Sequence, residues 1–292
     1  KKINTDAAGN VILNESNLTS EKRRRNFALF GLGIGFKPSK KIEFYGNISQ
    51  NYRSVTFSDM SIINPAYRIN PNITDEKGFT SDFGLRGQLK KLFSFDANLF
   101  RIFYNDRIGF IQKKFNDGSV KTERGNVGDA ILYGVESLID FNLKEISNIK
   151  NDNFALNYFI NFSFIESEYI KSMTPGVEGK KVEFVPKLNL KTGFKIGYQN
   201  YSFNAQYSYL SEQFSDSSNA IGGNLSGVIG LIPEYDVLDL STAYSKGRFR
   251  FELGINNLLN RSYFTRRATG YPGPGIIPSP NRNLYLTIQL KI

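Results

Sequence analysis

The chain has 292 residues and a formal charge of +10, with 25 Phe and 16 Tyr but no Trp, Cys or His. Without Cys or His it cannot build thiolate or imidazole metal sites, a Cys nucleophile or a Ser-His-Asp triad. The mean hydropathy is −0.33, and no window approaches the roughly 18 apolar residues of a transmembrane helix. Transmembrane strands stay possible, because they alternate lipid-facing with lumen-facing residues and look polar on average.

The excess of positive charge suits nucleic acid, an acidic membrane surface or an anionic small ligand. The opening, KKINTDAAGN, has no apolar run of the kind an export signal carries. Beyond it, period-2 alternation runs almost throughout and predicts about eleven strands. They begin near Phe27, Lys41, Gly78, Leu92, Asp129, Asn153, Phe184, Tyr201, Tyr235, Arg248 and Arg282.

In chain order, the first strand holds GLGIG (Gly31 to Gly35). A dinucleotide fingerprint needs a helix straight after its glycines, whereas FKPSKKIEFYG reads as a turn and a strand. These glycines are expected where another backbone or a plug comes close. In the second strand, Tyr45, Asn47, Ser49, Asn51 and Arg53 share one parity. In the third, Phe79, Phe83, Leu85 and Leu89 oppose Thr80, Asp82, Arg86 and Gln88. Later runs repeat the pattern: Phe154 to Phe164, Leu188 to Tyr198, Phe249 to Ile255 and Leu284 to Ile292.

The connections alternate. Short links (KPSKK, KK, KEISNIKNDN, QN, KGR) take turns with long ones at Asp59 to Lys77, Phe115 to Gly128, Met173 to Glu183, Ser217 to Glu234 and Thr269 to Asn281. Such alternation puts all short turns at one end and all long loops at the other, the arrangement of outer-membrane barrels. A soluble β-sandwich has shorter strands of about 5–6 residues and no such asymmetry. The expected fold is therefore all-β, an antiparallel transmembrane β-barrel. An odd number of antiparallel strands cannot close without a parallel pair, and bacterial single-chain barrels use even numbers. The chain is expected to be the C-terminal half of a larger barrel whose other strands and export signal precede it.

The last 40 residues, LGINNLLNRSYFTRRATGYPGPGIIPSPNRNLYLTIQLKI, resemble the C-terminal end of TonB-dependent outer-membrane receptors. There an NNL segment with an aromatic pair closes the penultimate strand, and a YPGPG-type loop leads into the last. SVTFSDMSIINPAYRINPNITDEKGFTSDFGLRGQLK, FYNDRIGFI and ILYGVES look like the branch related to ferric dicitrate receptors. The resemblance implies a barrel of about 22 strands, a plug domain in its lumen and an energy-transducing TonB partner that pulls on the plug. Residues 27–292 would then be roughly strands 12 to 22, with residues 1–26 an extracellular loop segment. The chain departs from the family in ending on Ile292 rather than an aromatic residue.

Within that frame the Pro- and Gly-rich segment Thr269 to Asn281 reads as the last extracellular loop. Guanidinium groups suit bidentate capture of carboxylate or phosphate. Arg53 with Asn51 beside it, and Arg68, Arg124, Arg266, Arg267 and Tyr271 in or near long loops, are the expected ligand-binding residues. Ordinary pairing with Asp75, Glu76 and Glu123 is the alternative use of these arginines. Asp82, Asp96, Glu136 and Glu252 fall on the lumen parity without an apolar setting that would make them acids or bases, so no catalytic residue, metal site or cofactor is expected. The basic run EKRRRN (Glu21 to Asn26) lacks the interleaved aromatics of a nucleic-acid surface and reads as a solvated loop or a contact for lipopolysaccharide phosphates.

The function expected from the resemblance is active import, across the bacterial outer membrane, of a scarce anionic ligand such as ferric citrate or another siderophore chelate. Expected partners are that ligand, TonB through the plug, outer-membrane lipid or lipopolysaccharide and the N-terminal half of the barrel, with no nucleic acid. Import of oligosaccharide, peptide or cobalamin is the first alternative, kept open by Tyr67, Tyr263, Phe264 and Tyr271. A surface adhesin or assembly subunit is the second.

Overall fold

The computed structural model describes residues 26–56, 59, 67–115, 118–224, 227–268 and 275–292. The chain divides into two compact units, 1–30 and 31–292. In the first, the described residues 26–30 have no regular secondary structure, and EKRRRN lies almost wholly outside the described residues.

The second unit is built on one large sheet. Its strands are β1 (Gly31–Ser39), β2 (Ile42–Arg53), β3 (Tyr67–Ile69), β4 (Glu76–Leu89), β5 (Phe93–Lys114), β6 (Val120–Asn142), β7 (Phe154–Lys171), β8 (Leu188–Tyr198), β9 (Tyr201–Leu210), β12 (Tyr235–Lys246), β13 (Phe249–Asn256) and β16 (Asn283–Leu290). Two small ribbons complete it: β10 (Gln213–Phe214) with β11 (Leu231–Ile232), and β14 (Phe264–Ala268) with β15 (Gly275–Pro278). Eleven strands follow one another as antiparallel neighbours from β1 to β16, and β3 adds a parallel pairing to β6. The expected number of strands and the antiparallel order are both observed. Among the described residues β1 pairs only with β2, and β16 only with β13.

Alternation gives this sheet two unlike faces. One continuous row pairs Phe83 with Leu99, Leu99 with Val135, Val135 with Phe164 and Phe164 with Leu188. On the opposite face, a row runs Glu43, Arg86, Asp96, Leu138, Asn161, Lys191, Ser208. The apolar face is uncovered: Ile34 is 74% exposed, Leu99 57% and Leu284 69%. A soluble sandwich would bury these residues against a second sheet, whereas lipid-facing strands leave them outward. Toward the short-turn end, aromatic rings touch across four strands. Phe93 and Phe141 are 5.8 Å apart, Phe141 and Tyr158 6.3 Å, and Tyr158 and Phe194 4.7 Å.

Aromatic residues also occur on the polar face, where they lie over glycines. A Cβ on Gly84 would sit 2.1 Å from the Tyr45 ring, and one on Gly254 2.2 Å from Tyr285. Both are directly opposed cross-strand pairs. The glycines of GLGIG, by contrast, form part of β1 and leave near-ordinary space, the closest approach being 3.3 Å at Gly31.

The connections are short at one end and long at the other, with one correction. Phe115 to Gly128 is not a long loop. β5 and β6 continue outward as a hairpin whose ladder runs to Lys114 and Val120, closed by the Phe115 N–H donating to the Ser119 carbonyl at 2.8 Å. The ladder survives because a bulge at Tyr104/Arg107 absorbs the irregularity. Asp106 there takes φ 52°, and Asp129 Oδ1 accepts its N–H at 3.1 Å.

The buried apolar cluster sits at the long-connection end. Ile111, Val127, Ala130, Leu132 and Tyr169 of the sheet pack with Val177 and Val182 from the β7–β8 connection. A smaller buried cluster, Val55, Ile73 and Ile108, lies at the same end, and elsewhere along the sheet none occurs among the described residues, so packing holds the connections while backbone ladders hold the strands.

Candidate functional site

Arg53 ends β2 on the polar face, and Arg124 lies in the outward extension of β6. The structure brings both onto one carboxylate, Asp59, which the β2–β4 connection supplies. Arg53 Nη2 donates to Asp59 Oδ1 at 2.9 Å and Oδ2 at 3.1 Å. Arg124 Nη2 reaches Oδ1 at 2.7 Å and its Nε at 3.2 Å. Asp59 Oδ2 also accepts from the Thr56 N–H at 2.9 Å and its hydroxyl at 2.8 Å. Asp59 is 2% exposed. Burial works to raise its carboxyl pKa, but the Thr56 and Arg124 hydrogen bonds outweigh burial and hold the carboxyl well below its usual range.

Two carboxylates expected as partners frame this knot. Glu76 Oε2 lies 3.8 Å from Arg53 Nη1 and accepts the Ile108 N–H at 2.8 Å. Asp75 accepts from the Val55 N–H at 2.8 Å and from the Tyr52 hydroxyl. Glu123 instead takes Lys113, at 3.2 Å. Asn51 donates to the Thr80 hydroxyl. Arg124 stacks over the Phe110 ring at 4.5 Å, and the exposed Arg68 over Phe115 at 4.7 Å. In the β3–β6 pairing Arg68 lies opposite Glu123 and Ile69 opposite Arg124, so alternation puts Arg68 on the face away from Arg124.

Arg266 and Arg267 belong to a second group, on β14. Arg267 donates to the carbonyls of Gly227 and Leu231, both at 2.7 Å, and lies over Phe264 at 5.2 Å. Its Nε is buried without an acceptor among the described residues, and burial pulls its pKa below the ordinary value. Arg266 is exposed. Tyr271 lies outside the described residues. No described contact joins the β14 group to the Asp59 knot. Among the other aromatic candidates, Tyr67 is buried edge-on against Phe110 at 5.8 Å, and Tyr263 stacks on Tyr235 at 4.4 Å.

Asp59 was the residue that sequence reasoning passed over. Thr56-x-x-Asp59 has the spacing of a capping box, in which an acid three residues on accepts the N–H of a Ser or Thr. That spacing was the available signal. On the polar face nearer the short turns, a hollow of about 460 Å³ is lined by Asp96, Asp140, Asn161, Lys191, Lys195 and Gln206. The long-connection end offers guanidinium and aromatic groups, an arrangement that can hold an anion without transforming it.

The chain belongs to the TonB dependent receptor-like, beta-barrel family, whose description matches residues 3–258. This is a family of outer-membrane transport receptors. Among solved structures, the chain is similar to the ferric citrate transporter FecA in its unliganded form, with 21% identity and a TM-score of 0.71 over 90% of this chain. It is also similar to the copper transporter OprC, with 16% identity and a TM-score of 0.64 over 89%. The ferric yersiniabactin uptake receptor FyuA from Yersinia pestis gives 16% and 0.63 over 89%. At these identities the likeness establishes the fold. The chain spans 38%, 38% and 36% of those three chains, respectively.

Proposed function

We propose that this chain forms the C-terminal part of the wall and mouth of a TonB-dependent importer in the bacterial outer membrane, taking up a scarce anionic ligand of the ferric chelate class. The apolar face meets lipid and the polar face lines the lumen, where a plug domain carried by the rest of the protein would meet the Asp96–Lys195 hollow. The observation that supports an anionic cargo most directly is the convergence of Arg53 and Arg124 at the long-connection end. Asn51, Arg68, Arg266, Arg267 and Tyr271 complete the proposed ligand set. Residues 1–26 would belong to an extracellular connection.

The protein's part is positional. Guanidinium groups held on strands bind carboxylates of the chelate, and energy delivered through TonB and the plug completes transport. The test is uptake of ⁵⁵Fe-labelled ferric citrate by cells producing the intact receptor. Saturable, energy-dependent uptake is expected, with Arg124→Ala weakening binding about tenfold through loss of a charge-assisted contact. Non-saturable association, unaffected by collapsing the inner-membrane potential, would instead mark an adhesin.

A further inference from the structure

We propose that Asp59 is an internal stand-in for the cargo: its carboxylate holds the Arg53–Arg124 pair until an incoming anion displaces it, so Asp59 sets which anions bind and how fast. This rests on the reading of that pair as the importer's anion site. Six donor contacts surround the Asp59 carboxylate, four of them from the two guanidinium groups and two from Thr56. Asp59 is 2% exposed. These contacts hold its carboxyl well below the usual range, so at neutral pH it fills the site as an anion. The chain thus already presents its two arginines with the chemistry of a bound carboxylate.

The arginines are fixed and the carboxylate is the movable part. Arg53 is the last residue of β2 and Arg124 lies within β6. Each has a second contact that does not involve Asp59. Glu76 Oε2 lies 3.8 Å from Arg53 Nη1, and the Phe110 ring lies 4.5 Å below Arg124. Asp59 belongs to the connection that follows β2, not to the sheet. That connection is pinned just before it, where the Val55 N–H donates to Asp75 Oδ1 at 2.8 Å and Val55 packs with Ile73 and Ile108. The Asp59 N–H then donates to the Thr56 carbonyl at 3.1 Å, closing a tight turn. Rotation of the Asp59 side chain therefore frees the pair while both strands and the chain up to Thr56 keep their places.

A tethered carboxylate competes at an effective concentration on the order of millimolar. The apparent affinity for cargo is reduced by the fraction of receptor in which Asp59 has swung out. A lone carboxylate offers the arginines nothing that Asp59 does not already supply, so the exchange favours a cargo with more than one anionic group. Bound cargo no longer meets Asp59. The competition therefore slows association and leaves dissociation alone.

The experiment measures association and dissociation of ferric citrate on the intact receptor, immobilised in detergent. Asp59→Asn should raise the association rate about tenfold, leave the dissociation rate unchanged and tighten binding by the same factor. Thr56→Val removes one hydroxyl contact to Asp59 without touching either arginine, and should give a smaller gain of about three- to fivefold. Glu123→Gln removes another buried carboxylate at the same end, paired with Lys113 at 3.2 Å, and should change association less than about twofold. Weaker or unchanged binding by Asp59→Asn, the result if Asp59 only positions the arginines, overturns the stand-in. An equal gain in Glu123→Gln also overturns it, by marking a general effect of charge. Both results leave the import reading intact. Absence of saturable ferric citrate binding in wild type and Asp59→Asn alike would sink both. Should Asp59→Asn fail to fold, Thr56→Val decides the question alone.

Discussion

Arg107 Nη1 donates to Glu183 Oε1 at 2.7 Å, tying the β7–β8 connection to the outward extension of β5. Tyr169 closes the triangle. Its hydroxyl donates to Glu183 Oε2 at 2.6 Å and accepts from the same Arg107 nitrogen at 2.9 Å. Glu183 is 2% exposed, so removing it leaves a largely buried guanidinium with the Tyr169 hydroxyl but without its carboxylate. Glu183→Ala is expected to cost about 3–5 kcal/mol of local stability, seen as faster amide hydrogen exchange across residues 172–187. Gly109→Ala should act on the same contact, because a Cβ there would lie 2.2 Å from Glu183 Oε1. Unchanged exchange in both variants would show that this connection is held by apolar packing alone.

The Asp59 knot has a definite pH dependence. Its carboxyl is held below the ordinary 3.8. The stabilisation is therefore fully present above that ordinary value and is lost as pH falls through the lower, folded one. Asp59→Asn should lose about 1.5–3 kcal/mol of local stability at pH 7. The gap between variant and wild type should narrow steadily below about pH 4. Hydrogen exchange of the Thr56 amide at pH 7 and pH 3 reads both effects, and a gap that widened on acidification would reverse the sign claimed here.

Tyr45 lies over Gly84 and donates to Asp96 Oδ1 at 2.6 Å. Gly84→Ala should displace the ring, at a cost of about 1–3 kcal/mol, measured by urea unfolding. Combining it with Tyr45→Ala should recover part of the loss, since the clash partner is gone. Strict additivity would mean that the ring moves aside freely.

The two faces should respond oppositely to charge. Leu253 is on the apolar face of β13, while Thr287, opposite Glu252, is on the polar face of β16. Leu253→Arg is expected to destabilise the bilayer-inserted protein by about 2–4 kcal/mol, and Thr287→Arg by less than about 1. Equal penalties in lipid-vesicle unfolding would remove the assignment of faces.

The strands could be read from the residues because alternation is local: the parity that puts Tyr45, Asn51 and Arg53 on one face is written within nine residues. The fold of the connections was much less visible, because it rests on distant pairings. Arg124 meets Asp59 across 65 positions, and nothing near Arg124 announces that meeting. Gly118, Gly125, Asn126 and Gly128 disguised the β5–β6 extension as a loop, since such residues usually punctuate strands. There Asn126 holds the chain by accepting the Thr74 N–H at 2.8 Å. The arginines were recognisable as a class, but their existing engagements were not. Arg53 and Arg124 are already shared by a carboxylate, so any incoming anion must compete with Asp59.

The contacting rings of Phe93, Phe141, Tyr158 and Phe194 set a common waterline. With each ring lodged against its neighbour on the next strand, no single strand can ride higher or lower without unseating the file. Four strands therefore settle at one depth, like planks pegged together before launching, and a thinner or thicker bilayer would have to adapt to the protein.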